Sequence, residues 1–227
     1  MITEPLLLSI KLATVVTFFL FIIGIPLAGW LSLTRHKWKF LIEAMVALPI
    51  VLPPTVLGYY ILVAISPNSV LGGFYQDLFG STLPFTFPGL VLASILYSLP
   101  FAVQPFLAAF ESVDPRLSEA AWVLGASRSK TFLTIVIPSS IQGLITGGVL
   151  SFAHTLGEFG VVLLVGGNIP GSTRVVSISI YDHVQALEYE QAGQTSFILL
   201  AFSFFVLAMV YALNRKIWAL PTTIGGK

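Results

Sequence analysis

Charge is so sparse along this chain, and so unevenly spaced, that its distribution limits what the chain can fold into. Leu12 to Thr34 contains no Asp, Glu, Lys, Arg or His. Glu43 to Asp77 encloses a second uncharged run, and Asp77 to Glu111 a third. A fourth opens at Pro138 and meets no acidic or basic charge until Glu158, and a fifth extends from Ala192 to Leu213. Each run is long enough for a helix that crosses a bilayer, which takes about 20 apolar residues at a rise of about 1.5 Å each. Only 9% of the chain is charged, against about 25% in soluble domains. A surface so poor in charge cannot be wetted, so lipid must be most of its solvent. The fold class expected is therefore an all-α integral membrane protein with five spans, approximately 10–34, 43–66, 87–111, 138–158 and 191–214. The start, Met1-Ile2-Thr3-Glu4-Pro5, lacks the cationic stretch of a cleaved signal peptide, so the first span is expected to be retained.

Basic residues orient such a chain, because Lys and Arg in short loops stay on the cytoplasmic side. With the N-terminus outside, five spans place Arg35, Lys37, Lys39, Arg116, Arg128, Lys130, Arg215, Lys216 and Lys227 inside, nine of the 11 Lys and Arg. Only Lys11 and Arg174 fall elsewhere. The reading is N-terminus out and C-terminus cytoplasmic, with a single domain over residues 1–227 and a cytoplasmic loop over 112–137. Net charge is +1 and no basic tract interleaved with aromatics occurs, which argues against nucleic acid as a partner. Cysteine is absent, so disulfides and thiolate chemistry are excluded.

The cytoplasmic loop is dense in local signals. Asp114 is a fitting N-cap and Pro115 a fitting first helical residue. Leu117, Ala120, Ala121 and Leu124 stand at i, i+3, i+4 and i+7, an apolar stripe on a helix of two to three turns. Gly125 suits the left-handed residue that ends it, and Ser127 can cap a second short helix leading to Pro138. A short amphipathic helix held at the membrane face fits a groove on a partner protein. The plainer alternative is an ordinary loop helix.

Glu119-Ala120-Ala121, Gly125 four residues on, and then Ile135, Ile137 and Pro138 resemble the EAA motif of ABC importer permeases, EAA-x3-G-x9-I-x-L-P. Ile137 stands where the family usually carries Leu. The stretch Leu48 to Tyr60, with Pro49, Pro53, Pro54 and Gly58, looks like the start of the second core helix of molybdate permeases. His154-Thr155-Leu156-Gly157-Glu158-Phe159-Gly160 looks like the segment that molybdate and sulfate permeases share. The resemblance implies the MetI-like permease fold and a non-catalytic membrane subunit, with ATP hydrolysed by a separate cytoplasmic ATPase. It also implies a periplasmic oxyanion-binding protein and a permease homodimer. In the family's terms, Glu119, Ala120, Ala121, Gly125, Ile135 and Pro138 couple to the ATPase. Pro53, Pro54, Gly58, Gly157, Glu158 and Gly160 are the candidates for the translocation pathway and gate. Molybdate is the expected cargo, with tungstate or sulfate as alternatives.

Other residues carry competing readings. Glu158 is an acid at a span end, a costly place; it could serve a gate, pair with Arg174, relay protons, or rest on backbone donors. His154, four residues earlier, is expected to be a structural hydrogen-bonding residue, since no further His or carboxylate completes a metal site. Pro49, Pro53 and Pro54 kink or interrupt span two, or else span two starts at Pro53 or Pro54. Span four is expected to break near Gly157 and Gly160, followed by a re-entrant or external excursion up to about residue 190. Gly143 with Gly147, and Gly24 with Ala28, permit close helix contact. Gly125-x4-Lys130-Thr131 lacks the second glycine of a phosphate loop, so no nucleotide site and no cofactor is expected in this chain. The rival function class is a proton-coupled secondary transporter using Glu158 and His154, and a structural scaffold is the third.

Overall fold

The computed structural model describes residues 3–34 and 36–218. Arg35 and Lys227, two of the basic residues in the orientation argument, lie outside them. Every regular element among the described residues is helical, with no strand among them. The long elements are α1 (Thr3–Leu33), α5 (Phe87–Glu111) and α12 (Tyr189–Trp218). Between α1 and α5 lie α2 (Lys39–Val51), α3 (Pro54–Ala64) and α4 (Val70–Phe79). After α5 come α6 (Pro115–Val123), α7 (Arg128–Thr131), a π-helical turn (Phe132–Val136), α8 (Ile137–Ser139) and α9 (Ile141–Gly157). The short α10 (Gly160–Gly166) and α11 (Val176–Gln185) precede α12.

Three helices are long and apolar enough to cross a membrane by themselves, and two bent pairs bring the possible spans to five. The first pair, α2 and α3, turns through 115° at Leu52-Pro53; Pro53 has no N–H to continue the ladder and Pro54 occupies the first turn of α3. Pro49, by contrast, lies inside α2. The second pair is the helix from Arg128 to Ser139 and α9, which meet at 73°. Pro138 therefore sits on the coupling-loop side of that bend, and α9 itself begins at Ile141.

The core is a three-helix contact of α1, α5 and α9, held by rings seated against glycines. Phe106 of α5 is fully buried. A Cβ on Gly24 of α1 would lie 3.1 Å from its ring, and one on Gly147 of α9 only 2.6 Å from it. Phe21 of α1 fills the next notch, 2.6 Å from a Cβ placed on Gly148, and its ring centroid is 5.3 Å from that of Phe106. Gly143 meets Ala109 in the same way, since a Cβ on Gly143 would lie 2.2 Å from Ala109 Cβ. Both small-residue pairs are thus spent on packing inside the chain. Because hydrocarbon is as apolar as Leu, helices in lipid associate through this close van der Waals fit.

The fold makes a direct prediction. Gly147→Val overlaps the Phe106 ring and the Ala102 carbonyl, 3.0 Å from the added carbon, and overpacking of this kind costs about 1–3 kcal/mol. Thermal unfolding in detergent should show a clearly lowered midpoint. Gly193→Ala, whose new carbon meets nothing within 4 Å, should leave the midpoint unchanged or slightly raised.

Candidate functional site

Two regions gather the residues singled out in the sequence, one at each end of the helix bundle. At the end bearing Lys39 and Glu111 lies the loop that carries α6. Asp114 caps α6 by accepting a hydrogen bond from the Arg116 N–H at 2.9 Å, and Pro115 occupies the first turn. Gly125 takes φ +84°, a left-handed conformation that closes the helix. Ser127 then caps α7 by accepting from the Lys130 N–H at 3.3 Å. Each of these features follows from the local sequence.

No residue of α6 is buried. Val123 and Leu124 are 88% and 87% exposed, and Leu117 and Trp122 are also exposed. Glu119, Ala120 and Gly125 are exposed and Ala121 is half-buried. An apolar stripe left open on a charged-end loop is a surface made for another protein. Ile135 and Pro138 do not share that surface. Ile135 belongs to the π-helical turn and Pro138 to α8 behind it. In that turn the Ile137 N–H donates to the Phe132 carbonyl, five residues back. Behind the loop, Lys39 of α2 donates to Glu111 at 3.0 Å and lies 3.3 Å from Glu43. The first connection is thereby tied to the last residue of α5.

At the other end, α9 stops at Gly157 and the chain resumes as α10. The short α10 is inserted between α3 and α5, with Val161, Val162 and Val165 fully buried. Irregular backbone inside a membrane is tolerated in such protein surroundings. Of the pathway candidates, Pro54, Gly58 and Gly160 lie in the contact between α3 and α10. A Cβ on Gly160 would lie 2.7 Å from Pro54 Cβ, and one on Gly58 would lie 3.0 Å from Leu164 and 3.3 Å from the Val161 backbone. Pro53 is the exposed N-cap residue of α3, and Gly157 is exposed with open space beside it.

Glu158 departs from two of the alternatives that its sequence position offered, the Arg174 pair and the backbone donors. It is buried, 4% exposed, and neither carboxylate oxygen has a hydrogen-bond partner. Backbone donors do not hold it, and Arg174 does not pair with it. Arg174 is instead 3.5 Å from Asp182 and hydrogen-bonded to Asn168. Ser94 of α5 stands beside Glu158 without full hydrogen-bond geometry. His154 is engaged separately: its Nδ1 is 2.9 Å from the Ser98 hydroxyl and its ring stacks on Phe101 with centroids 3.9 Å apart. The backbone after the break is also satisfied by side chains. Ser177 donates to the Glu158 carbonyl, and Ser9 of α1 accepts from the Val176 N–H at 2.8 Å. Sequence reasoning missed Ser9, Ser94 and Ser177, because nothing local marks a serine whose partner is far along the chain. Among the described residues no group of three His, Cys, Asp or Glu could hold a metal ion.

Comparison with known proteins agrees with this arrangement. Residues 15–219 match the family described as "Binding-protein-dependent transport system inner membrane component". The chain is 50% identical over 208 residues to the molybdenum transport system permease protein ModB of Azotobacter vinelandii, covering 92% of each. It is 38% identical over 182 residues to ModB of Escherichia coli K12, covering 80% of each. Against the sulfate transport system permease protein CysT of Salmonella typhimurium the identity is 32% over 204 residues, covering 90% of this chain and 73% of the relative. The fold is that of an inward-facing MetNI methionine ABC transporter chain (TM-score 0.71, 14% identity, 95% of each chain). It is also that of a bacterial ABC transporter importing alginate (TM-score 0.70, 19% identity, 93% of this chain and 79% of the other). With exposed loop helices at one end, a buried break at the other and a family match over nearly its whole length, the chain belongs to the inner membrane components of binding-protein-dependent transport systems.

Proposed function

We propose that this chain is the non-catalytic permease subunit of an ATP-driven importer of molybdate, working as a homodimer with a cytoplasmic ATPase and a periplasmic oxyanion-binding protein. The observation that carries the reading is 50% identity, over 92% of both chains, to a molybdenum permease. The identity to a sulfate permease is lower and covers less of that protein. Tungstate, which matches molybdate in charge and shape, is the nearest alternative cargo. The N-terminus is outside and the C-terminus cytoplasmic, so α6 faces the ATPase.

Glu119, Ala120, Ala121 and Gly125 form the contact with the ATPase, and Ile135 and Pro138 shape the helix that receives its motion. ATP binding draws the ATPase pair together and moves α6, and the bundle passes between two packings, inward- and outward-open. Pro53, Pro54, Gly58, Gly157, Glu158 and Gly160 lie along the path and its outer gate. The broken elements α3 and α10, which meet through bare glycine faces, are the parts able to slide. A proton-coupled carrier built on His154 and Glu158 is less favoured, since His154 is committed to Ser98 and Phe101.

In cells lacking their own molybdate permease, this chain with its ATPase and binding protein should restore uptake of labelled molybdate. Excess tungstate should compete more strongly than excess sulfate. Restoration of sulfate uptake alone would move the assignment to the sulfate branch. Glu119→Arg should abolish co-purification of the ATPase, and uptake with it. Gly125→Val forces a β-branched residue to φ +84°, at a cost of about 1–3 kcal/mol, and should reduce both by at least about tenfold. Normal assembly and uptake in both variants would refute the coupling role.

The chain alone should hold its cargo weakly, because a dianion needs unpaired cations or helix N-termini for tight binding. Calorimetric titration of the purified chain with molybdate should reveal no dissociation constant tighter than about 0.1 mM. Micromolar binding would place the selectivity in this subunit.

A further inference from the structure

The π-helical turn at Phe132–Val136 is not required by capping, by burial of the span or by the exposed coupling surface. It lies directly behind α7, and Pro138 follows it. Proline leaves the Thr134 carbonyl without its ordinary partner four residues on, and the Ile137 N–H donates to Phe132 rather than Leu133. A wider turn of this kind shifts the angular position of the residues around it, and such turns concentrate at functional sites.

The shift delivers Phe132 into a specific seat. A Cβ on Gly29 of α1 would lie 2.5 Å from the Phe132 ring tip and 2.9 Å from the adjacent carbon. Gly29 is buried near the end of α1, so the ring occupies the volume a side chain would fill. The other face of the seat is Phe110, itself buried in the last turn of α5 and 5.2 Å from Phe132 in an edge-to-face contact. One side chain on the helix behind the coupling surface thus touches the ends of both long core helices. Within the loop, the Arg128 guanidinium lies 6.0 Å from the centre of the Trp122 ring, joining α7 to α6. The buried Thr131 hydroxyl, bonded to the Ser127 carbonyl at 3.0 Å, fastens the start of the turn.

We propose that Phe132, seated in the Gly29 notch against Phe110, is the positioning residue that transmits displacement of the coupling loop to α1 and α5, and that the π turn exists to aim it there. The inference rests on the coupling role proposed for α6 and deepens it. A ring held on two sides moves as a rigid body with what it touches, whereas an alanine would let the loop move without the bundle.

The test uses the full permease assembled with its ATPase and binding protein in proteoliposomes, with ATP hydrolysis and molybdate uptake measured together. Phe132→Ala should keep the ATPase bound and hydrolysis within about twofold, while molybdate imported per ATP falls about tenfold. Gly29→Ala, which pushes the ring out of its seat, should lower the same ratio. Gly29→Ala with Phe132→Leu should recover part of it, since the smaller side chain makes room. Should Phe132→Ala not assemble, Phe132→Leu and Gly29→Ala read the same ratio alone. Hydrolysis and uptake falling in proportion in every assembled variant, or an unchanged ratio, would overturn the proposal. Glu119→Arg separates the two ideas. Loss of the ATPase there with a normal ratio in the Phe132 and Gly29 variants sinks only the transmission role, whereas retained ATPase and uptake in Glu119→Arg sinks the coupling role itself.

Discussion

The seating of Phe106 against glycines on two neighbouring helices is the contact from which the rest of the structure follows. Inside a bilayer no water is released when apolar helices meet, so attraction between them comes from fit. Phe106 supplies that fit twice, against Gly24 of α1 and Gly147 of α9, and Phe21 repeats it at Gly148. Glycine costs helix stability in water, yet here its missing side chain is the feature that lets three backbones close around an aromatic core. The result is a stiff unit of α1, α5 and α9 with its inner residues fully buried. A stiff unit of this kind moves as one body, which suits the two-packing cycle proposed above.

Around that unit the chain is deliberately discontinuous. Proline ends α2 and opens α3 at an angle of 115°, and the break after Gly157 releases α10 to fill the space between α3 and α5. The two interruptions answer each other, because Gly58 and Gly160 each leave room for the opposing element. Backbone groups freed by the breaks would be expensive in lipid, and they are met from within the chain. The Phe85 N–H donates to the Val165 carbonyl at 2.9 Å, Ser177 donates to Glu158, and Ser9 caps the first turn of α11. Breaks that are sealed by protein can be opened and resealed, whereas a continuous helix could only tilt.

How far the sequence disclosed all this depended on the range of each interaction. The caps at Asp114 and Ser127 and the left-handed Gly125 were legible because each involves residues within a turn. The uncharged runs were legible because lipid imposes a rule on every residue of a span. The break at Gly157 to Gly160 was legible too, from glycine placed around a charge. The angle at Pro53 was not, since proline says where a helix stops and nothing about where the next one points. That Glu158 would have neither Arg174 nor backbone donors as partners was not legible, because its isolation depends on Arg174 having found Asp182 and Asn168. The seat of Phe132 was invisible for a similar reason. Gly29 lies 103 positions away, and a glycine near a helix end gives no sign of the ring that will enter it.

The placement of charge then decides where selectivity resides. With the cargo proposed above, a tetrahedral dianion, any unpaired Lys or Arg facing the path would act as a trap. Lys39 lies between Glu43 and Glu111, Arg174 is held by Asp182 and Asn168, and Lys11 rests over the Phe87 ring at 4.5 Å. Arg116 and Arg128 with Lys130 belong to the loop helices α6 and α7. The ionisable group set deepest beside the break is an acid, Glu158, which repels rather than holds an anion when charged. Passage without capture follows from this economy. On the proposed function, a subunit that binds its cargo weakly would release it as soon as the packing changes, and recognition would then fall to the protein that delivers the anion.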